Sequence, residues 1–222
     1  AAVAGKRLDN FVGNARAGNR LLISADTTVL LFDIETGELL DYQRLAFLAN
    51  TRPIVVDALA LYGCTTGEVL AHNLATGFKQ WAYGLKGTII APPVQLAGYD
   101  IAAVSDAGDV AIIDAREATA RGRLSDIFGG VDNEPVGDSY AVYVASRDQS
   151  IYAFARTNGG RLWRYRTEAP ITAQPTVHDG TLYVHLAREG MVALDTRSGK
   201  RLWANPGVKG RVIGMRNGRL LA

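Results

Sequence analysis

The side chains that most often carry out chemistry are sparse in this sequence. Among 222 residues there is one cysteine, Cys64, and there are three histidines, His72, His178 and His185. The histidines are far apart, and none has a second metal-binding residue at ligand spacing, so we expect no metal centre. One cysteine also excludes an internal disulfide and a cysteine-rich metal cluster. These residues favour a binding protein over a catalyst, with no catalytic residues to assign.

Motifs that would indicate other function classes are also missing. The sequence contains no Gly-x-Ser-x-Gly nucleophile elbow and no glycine-rich phosphate loop that opens a helix. The formal net charge of +2 is too small to predict nucleic-acid binding. No apolar stretch is long enough to predict a transmembrane segment, and the start of the sequence does not resemble a signal peptide.

A repeat of about forty residues organises the whole chain. Five equivalent positions, separated by 40, 41, 41 and 40 residues, are Asp33, Asn73, Asp114, Ala155 and Asp195. Four of these positions begin short polar turns that end in Thr-Gly, Asn-Gly or Ser-Gly. A period held over five copies is the signature of a repeat architecture.

Within each unit the hydrophobic pattern has the period of two that is typical of β-strands. In the last unit, strands are predicted near residues 174–177, 181–186, 191–194 and 200–204. Asp, Asn and Gly residues punctuate the intervals, as tight turns require. Four short strands in about forty residues make one propeller blade. The prediction is therefore an all-β chain, a β-propeller of four-stranded antiparallel blades.

The repeat divides residues 1–222, a single propeller or a segment of a larger one, into five full units and partial blades at both ends. The units span residues 14–45, 46–86, 87–127, 128–168 and 169–207, and residues 208–222 with 1–13 are left for a partial blade. Either the two ends share one blade, or both are edges of a larger ring. About ten residues too few remain for a complete shared blade, which favours a larger ring.

Three units share a longer pattern, Ala-x5-Gly-x3-Trp. Its members are Ala71, Gly77 and Trp81; Ala153, Gly159 and Trp163; and Ala193, Gly199 and Trp203. The pattern resembles the tryptophan-docking repeat of pyrroloquinoline-quinone (PQQ) enzymes and of their non-enzymatic relatives, the BamB-like outer-membrane assembly proteins. The indole on the outer strand is expected to pack over small residues of a neighbouring blade. Asp41 and Gly122 replace tryptophan in units one and three, which predicts weaker joints there.

The resemblance also carries expectations about function. PQQ enzymes of this repeat type are expected to hold an adjacent cysteine pair over the cofactor, with acidic and amide ligands for calcium. One cysteine cannot form that pair, so we expect no cofactor and no enzymatic activity. The resemblance then implies a protein-binding scaffold in the bacterial envelope, periplasmic or outer-membrane-associated, with an outer-membrane assembly barrel protein as its partner and a membrane tether left open.

Two other functions remain open from the sequence. The chain could be a segment of a PQQ-dependent quinoprotein dehydrogenase whose cofactor residues lie elsewhere. It could also be a ligand-sensing propeller from a signalling protein. One fold hosts unrelated activities, so the repeats alone do not choose among them.

Candidate partner-binding residues lie in loops expected on one face of the propeller. The connector at residues 45–50 is apolar and lies between Arg44 and Arg52, with Leu45, Phe47 and Leu48 as apolar anchors. BamB-like proteins grip the barrel protein through a connector of this kind. The turns between second and third strands add a mixed-charge rim, in which Arg147, Asp148, Arg188 and Glu189 are the candidate binding residues and Asp26, Asp106 and Asp109 are further acids. The alternatives are connector residues packed inside and ordinary solvated turns.

Overall fold

The described part of the chain is built entirely from β-strands. The computed structural model describes residues 2–3, 6–7, 10–125, 127–131, 133–171, 173–208, 210–212, 214–216 and 219–221. Within those ranges every regular element is a strand, and five sheets have four antiparallel strands each. The predicted all-β class with four-stranded blades is therefore confirmed.

The strands are numbered in chain order, beginning with a short hairpin of β1 (Ala2–Val3) and β2 (Lys6–Arg7). Blade 1 contains β3 (Phe11–Ala17), β4 (Arg20–Ala25), β5 (Thr28–Asp33) and β6 (Leu39–Arg44). Blade 2 contains β7 (Ile54–Val56), β8 (Leu59–Gly63), β9 (Glu68–Asn73) and β10 (Phe78–Gly84). Blade 3 contains β11 (Val94–Ala97), β12 (Asp100–Val104), β13 (Asp109–Asp114) and β14 (Thr119–Ser125).

Blade 4 contains β15 (Val136–Gly137), β16 (Ala141–Ser146), β17 (Ser150–Ala155) and β18 (Arg161–Arg166). Blade 5 contains β19 (Thr176–His178), β20 (Thr181–Leu186), β21 (Gly190–Asp195) and β22 (Arg201–Asn205), all within two residues of the predicted bounds. A final hairpin pairs β23 (Gly214–Arg216) with β24 (Arg219–Leu221). The two end hairpins are separate two-stranded sheets. Gly5 and Leu8, which flank β2, lie outside the described residues.

The blades are arranged around a common hub. In each blade the strands follow chain order, and the first strands of successive blades contact one another from β3 to β19. The two middle strands are the most buried, as in β12, β13 and β16, whereas outer strands such as β14 and β22 are largely exposed. Apolar side chains between adjacent blades form the core, so each blade packs on its neighbours.

The turn between the third and fourth strands is built in the same way in several blades. In blade 1, Oδ1 of Asp33 accepts the backbone N–H groups of Glu35 and Thr36 at 2.8 and 2.9 Å. These hydrogen bonds lower the pKa of Asp33 below its ordinary value. Gly37, which closes the turn, has a φ of 72°, a conformation that favours glycine. Short polar side chains thus fix the turn locally, as the sequence predicts.

Each outer strand carries a β-bulge directly before the tryptophan position. The pairing of third and fourth strands skips one residue in all five blades, namely Leu40, Gln80, Arg121, Leu162 and Leu202. A bulge bends the strand and redirects the side chain that follows it. The repeat pattern in the sequence did not predict this feature, which directly precedes Trp81 and Trp163, the two indoles that contact a neighbouring blade.

The indole rings join blades through one recurring backbone carbonyl. Nε1 of Trp81 donates a hydrogen bond to the carbonyl of Ala115 in blade 3 at 2.7 Å, and Nε1 of Trp163 donates to Thr196 in blade 5 at 2.8 Å. A Cβ added at Gly199 would lie 2.7 Å from the Trp163 ring, so the ring covers this glycine. The alanine of the pattern lies opposite the tryptophan of its own blade, as in the pair Ala153–Trp163.

Blades 1 and 2 are joined by an amide instead of an indole. Nε2 of Gln43 donates to the carbonyl of Leu74 at 2.8 Å, at the position equivalent to Ala115 and Thr196. The same nitrogen donates to Asp41 at 2.7 Å, and Oε1 of Gln43 lies 2.7 Å from Nε2 of the fully buried His72. Asp41, which occupies the tryptophan position, therefore supports Gln43, the substitute donor two residues later.

Blades 3 and 4 are joined by direct backbone contact. A Cβ at Gly122 would lie 1.8 Å from the carbonyl oxygen of Asn158, so this position admits glycine alone. Asp100 of blade 3 also pairs with Arg156 of blade 4 and with Arg121 of its own blade. Blades 1 and 3, which have Asp41 and Gly122 at the tryptophan position, are therefore still joined to the blades that follow them. The weaker strength expected of these two joints stays a prediction.

Trp81 and Trp203 provide a matched test of the docking joint. Trp81 is 9% exposed and docked, whereas Trp203 occupies the same motif position at 40% exposure. Trp81→Ala should lower the free energy of unfolding by about 3–5 kcal/mol, because a buried ring and its hydrogen bond are lost. Trp203→Ala should cost about 1 kcal/mol, the scale of its contact with Tyr183. Equal losses in denaturant unfolding would show that docking does not hold the blades.

His72 should make the joint between blades 1 and 2 sensitive to acid. Burial lowers the pKa of His72 below its ordinary value of 6.5, because the charged form is poorly solvated. As the pH falls, the imidazole of His72 is therefore protonated more readily in the unfolded chain than in the folded chain. Stability should be complete above the unfolded pKa and should fall as the pH drops below it, by at most about 1.4 kcal/mol per pH unit. His72→Gln, which keeps a donor for Gln43, should show a shallower fall in urea unfolding measured across this range.

Candidate docking face

The connectors between blades and the turns between second and third strands lie on one side of the propeller. Within blades, the backbone N–H of Leu45 bonds to Thr27, that of Leu85 to Gly67 and that of Thr167 to Gln149, each at 2.8 Å. Each pair joins the start of a connector to the turn of the same blade. We call this side the connector face, made of the described residues of four connectors (45–53, 85–93, 127–131 with 133–135, and 167–171 with 173–175) and the adjoining turns.

The three apolar residues proposed as anchors in the first connector differ in their exposure to solvent. Leu45 is buried in the core between blades 1 and 2, and Phe47 is partly buried, with its ring centroid 5.6 Å from that of Tyr62. Leu48 is 65% exposed. The structure therefore places Leu45 and Phe47 in the packed position that the sequence left as an alternative, and it leaves Leu48 on the surface.

The next two connectors also expose large apolar side chains. Ile90 in the second connector is 39% exposed, and Phe128 in the third is 66% exposed. Their neighbours Ile89 and Ile127 are buried, so the connectors themselves are firmly packed. The amide of Asn50 donates to the carbonyl of Ile89 at 2.9 Å and links the first connector to the second. Three successive connectors thus present Leu48, Ile90 and Phe128 from a rigid base.

A chain of polar side chains crosses the mouth of the hub on this face. Arg52 and Glu134 form an ion pair at 2.9 Å, although they are 82 residues apart. Nε2 of Gln174 donates to Glu134 at 3.2 Å, and Nη1 of Arg211 donates to Gln174 at 2.7 Å. The hub behind them is a cavity of about 520 Å³ lined partly by the first strands of blades 2 to 5. Arg52, proposed as a flank of the first connector, instead belongs to this hub mouth.

The hub lining does not fit PQQ. Among the described lining residues the one carboxylate, Glu134, is paired with Arg52, and none is a cysteine. Cys64 is buried after β8, where burial and the charge of Glu68 raise the pKa of its thiol to about 11. The first strands contribute apolar side chains such as Ile54, Val94 and Val177. The described part of this lining can hold a chain segment or a side chain.

The charged turn residues are partly used within the blades. Asp148 accepts hydrogen bonds from the hydroxyl of Tyr152 at 2.6 Å and from Arg164 at 2.7 Å. Burial, and then Asp148, raise the pKa of Tyr152 to about 12. Glu189 pairs with Arg201 at 2.7 Å. These two acids therefore support their own blades.

The basic candidate residues are more exposed to solvent than Asp148 and Glu189. Arg44 and Arg188 are exposed, and Arg147 lies at an exposed turn where its guanidinium is 3.5 Å from the carbonyl of Gly129. Positive charge on the connector face therefore reaches solvent more freely than the charge of Asp148 and Glu189. The exposed charges of this face are mixed in sign, because Glu168 in the connector after blade 4 is exposed as well.

Several residues of this face were not identified from the sequence. No local sequence motif marks these residues, which are Ile90, Phe128, Glu134, Gln174 and Arg211. A signal was present for three of the hub residues, because the first strands of blades 2, 4 and 5 are entered through a polar residue followed by proline: Arg52–Pro53, Glu134–Pro135 and Gln174–Pro175. Equivalent positions of a radial repeat meet at the axis, which the period alone could have indicated.

Among the described residues, no three His, Cys, Asp or Glu side chains gather in a way that could hold a metal ion. The same part of the chain has no helix with the length and apolar character to cross a bilayer.

Solved structures with similar folds support the propeller assignment. BamB from Moraxella catarrhalis superposes with a TM-score of 0.73 and 18% identity, covering 95% of this chain and 67% of that one. The computationally designed protein Ika8 gives a TM-score of 0.76 and 17% identity over the same shares of the chains. At these identities the likeness concerns the fold alone.

Sequence comparison gives one partial relative and one family. The 1-butanol dehydrogenase (cytochrome c) of Thauera butanivorans is 29% identical over 85 residues, which is 33% of this chain and 12% of that enzyme. A family model described as outer membrane protein assembly factor BamB matches residues 5–165 and 109–218. Because these matches span nearly the whole chain, it belongs to the PQQ-like repeat family of the outer membrane protein assembly factor BamB.

Proposed function

We propose that this chain is a non-catalytic scaffold that assists outer-membrane protein assembly by holding a partner on its connector face. The observation that carries the proposal is the presence of an exposed apolar side chain on three successive connectors. Leu48, Ile90 and Phe128 stand beside a polar hub mouth, so apolar anchors and hydrogen-bonding groups lie on one face. Binding surfaces typically combine such anchors with a polar rim.

The rigidity of the connectors supports this role. Leu45, Ile89 and Ile127 are buried beneath the exposed side chains, and hydrogen bonds tie the connectors to the turns beside them. Anchors on a packed base lose little conformational entropy when a partner binds, so more of their burial contributes to affinity. An exposed aromatic such as Phe128 gains most, because its large surface is removed from water.

The charge on this face indicates the character of the partner. Arg44 and Arg188 are exposed and positive, whereas Asp148 and Glu189 are paired within their blades. A partner segment with apolar side chains flanked by acidic ones fits this surface best. The family description favours the barrel protein of the assembly machinery as that partner, in the periplasm at the outer membrane.

Charge-introducing substitutions test the connector face directly. Leu48→Asp and Phe128→Asp should each weaken binding to the purified barrel protein of the host's assembly machinery by roughly tenfold or more, since each buries a charge in place of an apolar contact. Biolayer interferometry measures the dissociation constant. Both side chains are exposed in the free protein, so thermal unfolding should stay close to that of the unaltered chain.

Phe78→Asp is the matched control for these variants. Phe78 is 74% exposed, and it follows the turn between the third and fourth strands of blade 2, at the end of the blade away from the connectors. Its substitution should leave the affinity unchanged. Equal losses in all three variants, or no loss in the connector variants, would contradict the assignment of this face.

A second function is favoured by the match to the butanol dehydrogenase. Under that alternative the chain is a segment of a PQQ-dependent quinoprotein dehydrogenase, with the cofactor residues in other parts of the enzyme. Titration with PQQ and calcium, followed by absorbance, distinguishes the two functions. A scaffold should give no saturable spectral change, and saturable binding at the hub would favour the enzyme.

A further inference from the structure

In blades 2 to 5, the residue before the proline that leads into the first strand stands at the mouth of the hub. These residues are Arg52, Pro92, Glu134 and Gln174, and all four line the hub cavity. Pro92 offers no polar side chain, and Arg52 pairs instead with Glu134 of blade 4, two blades away. The ion pair therefore ties the first connector to the third across the hub.

The start of the Arg52 side chain is fixed, whereas about half of the side chain stays in water. A Cβ added at Gly13 would lie 2.3 Å from the Cβ of Arg52, so blade 1 packs directly against the start of this side chain. Thr51 and Pro53, on either side, are buried. The Arg52 side chain is nonetheless 48% exposed. The fold thus presents a guanidinium group from a rigid base at the mouth of the hub.

The pairing of Arg52 with Glu134 is open to exchange. Nη2 and Nε of Arg52 donate to the two carboxylate oxygens of Glu134 at 2.9 and 3.4 Å, a side-on geometry that any carboxylate can adopt. Both side chains are partly in water, and ion pairs that water screens in this way contribute little to stability. Glu134 also accepts a hydrogen bond from Gln174 at 3.2 Å. It therefore keeps a partner when Arg52 binds another carboxylate.

The charges at the hub mouth favour the arrival of a second carboxylate. Among the described residues that line the hub, the charged side chains are those of Arg52, Glu134 and Arg211. Arg211 donates to the neutral amide oxygen of Gln174 at 2.7 Å. Two guanidinium groups thus stand beside one carboxylate, and the excess positive charge attracts an acidic group of a partner.

The ion pair also joins two connectors that present apolar anchors. Leu48 lies four residues before Arg52 and is 65% exposed, and Phe128 lies six residues before Glu134 and is 66% exposed. A partner that contacts both apolar side chains therefore spans the connectors that the ion pair ties together. Because such a partner excludes water, a carboxylate that it brings to Arg52 interacts more strongly than it would in open solvent.

We propose that an acidic side chain of the docked partner displaces Glu134 from the guanidinium of Arg52. This inference rests on the proposed function, since it concerns the same face. It assigns Arg52 as the residue that selects partner segments with a carboxylate beside their apolar anchors. In the free protein Glu134 holds the place of that carboxylate, so Glu134 is an internal competitor of the partner.

Two substitutions and their combination test this exchange. Glu134→Gln removes the competing charge and keeps an amide oxygen for Gln174, so the affinity for the purified barrel protein should rise by about threefold or more in biolayer interferometry. Arg52→Gln removes the cation and should weaken binding by about tenfold. The double variant should bind as weakly as Arg52→Gln alone, because Glu134 acts only through Arg52. Added salt should weaken binding of the unaltered chain more than that of Arg52→Gln.

Glu117→Gln is the matched control. It removes the same charge from an exposed residue between β13 and β14, at the end of blade 3 away from the connectors, so it should leave the affinity unchanged. If Leu48→Asp weakens binding but Glu134→Gln gives no gain, or its gain persists in the double variant or appears equally in Glu117→Gln, the exchange is overturned and the docking face stands. Binding that survives both Leu48→Asp and Phe128→Asp would overturn the proposed function and this inference together.

Discussion

The structure depends on how one backbone carbonyl is satisfied in successive blades. The carbonyl follows the polar residue that opens the turn between third and fourth strands, and it faces the preceding blade. Trp81 and Trp163 donate to it with an indole, whereas Gln43 donates with an amide. An unsatisfied buried carbonyl costs free energy, and in blades 2, 3 and 5 the preceding blade supplies the donor. Together with the apolar packing between blades, this requirement makes the blades mutually dependent.

These joints leave the opposite face free to carry function. They lie at the outer strands, and the connectors are anchored separately by Leu45, Ile89 and Ile127 in the core. Side chains such as Leu48 and Phe128 are therefore not needed to hold the blades together. Exposed apolar groups on a rigid base bind partners at low entropic cost, which is why this face is a better candidate than the more regular strand surfaces.

The sequence located the apolar connector between blades 1 and 2 but not the environment of each residue in it. Phe47 and Leu48 are adjacent in an apolar connector, yet Phe47 packs on Tyr62 and Leu48 is exposed. Apolar composition does not say which side of a connector faces the core, because loops lack a fixed period. Arg52 and Glu134 pair across the hub from positions 82 residues apart, and no local pattern signals such a contact.

The sequence by itself determined the blade and its length. A period-two pattern, polar turn residues and a repeat of 40 or 41 residues specify four short strands per unit, because these features act locally along the chain. The tertiary structure decided how blades meet. Gln43 replaces an indole, Gly122 allows backbone contact, and a bulge directly precedes the docked Trp81 and Trp163. Those contacts depend on the relative placement of two sheets, which neighbouring residues in one strand do not encode.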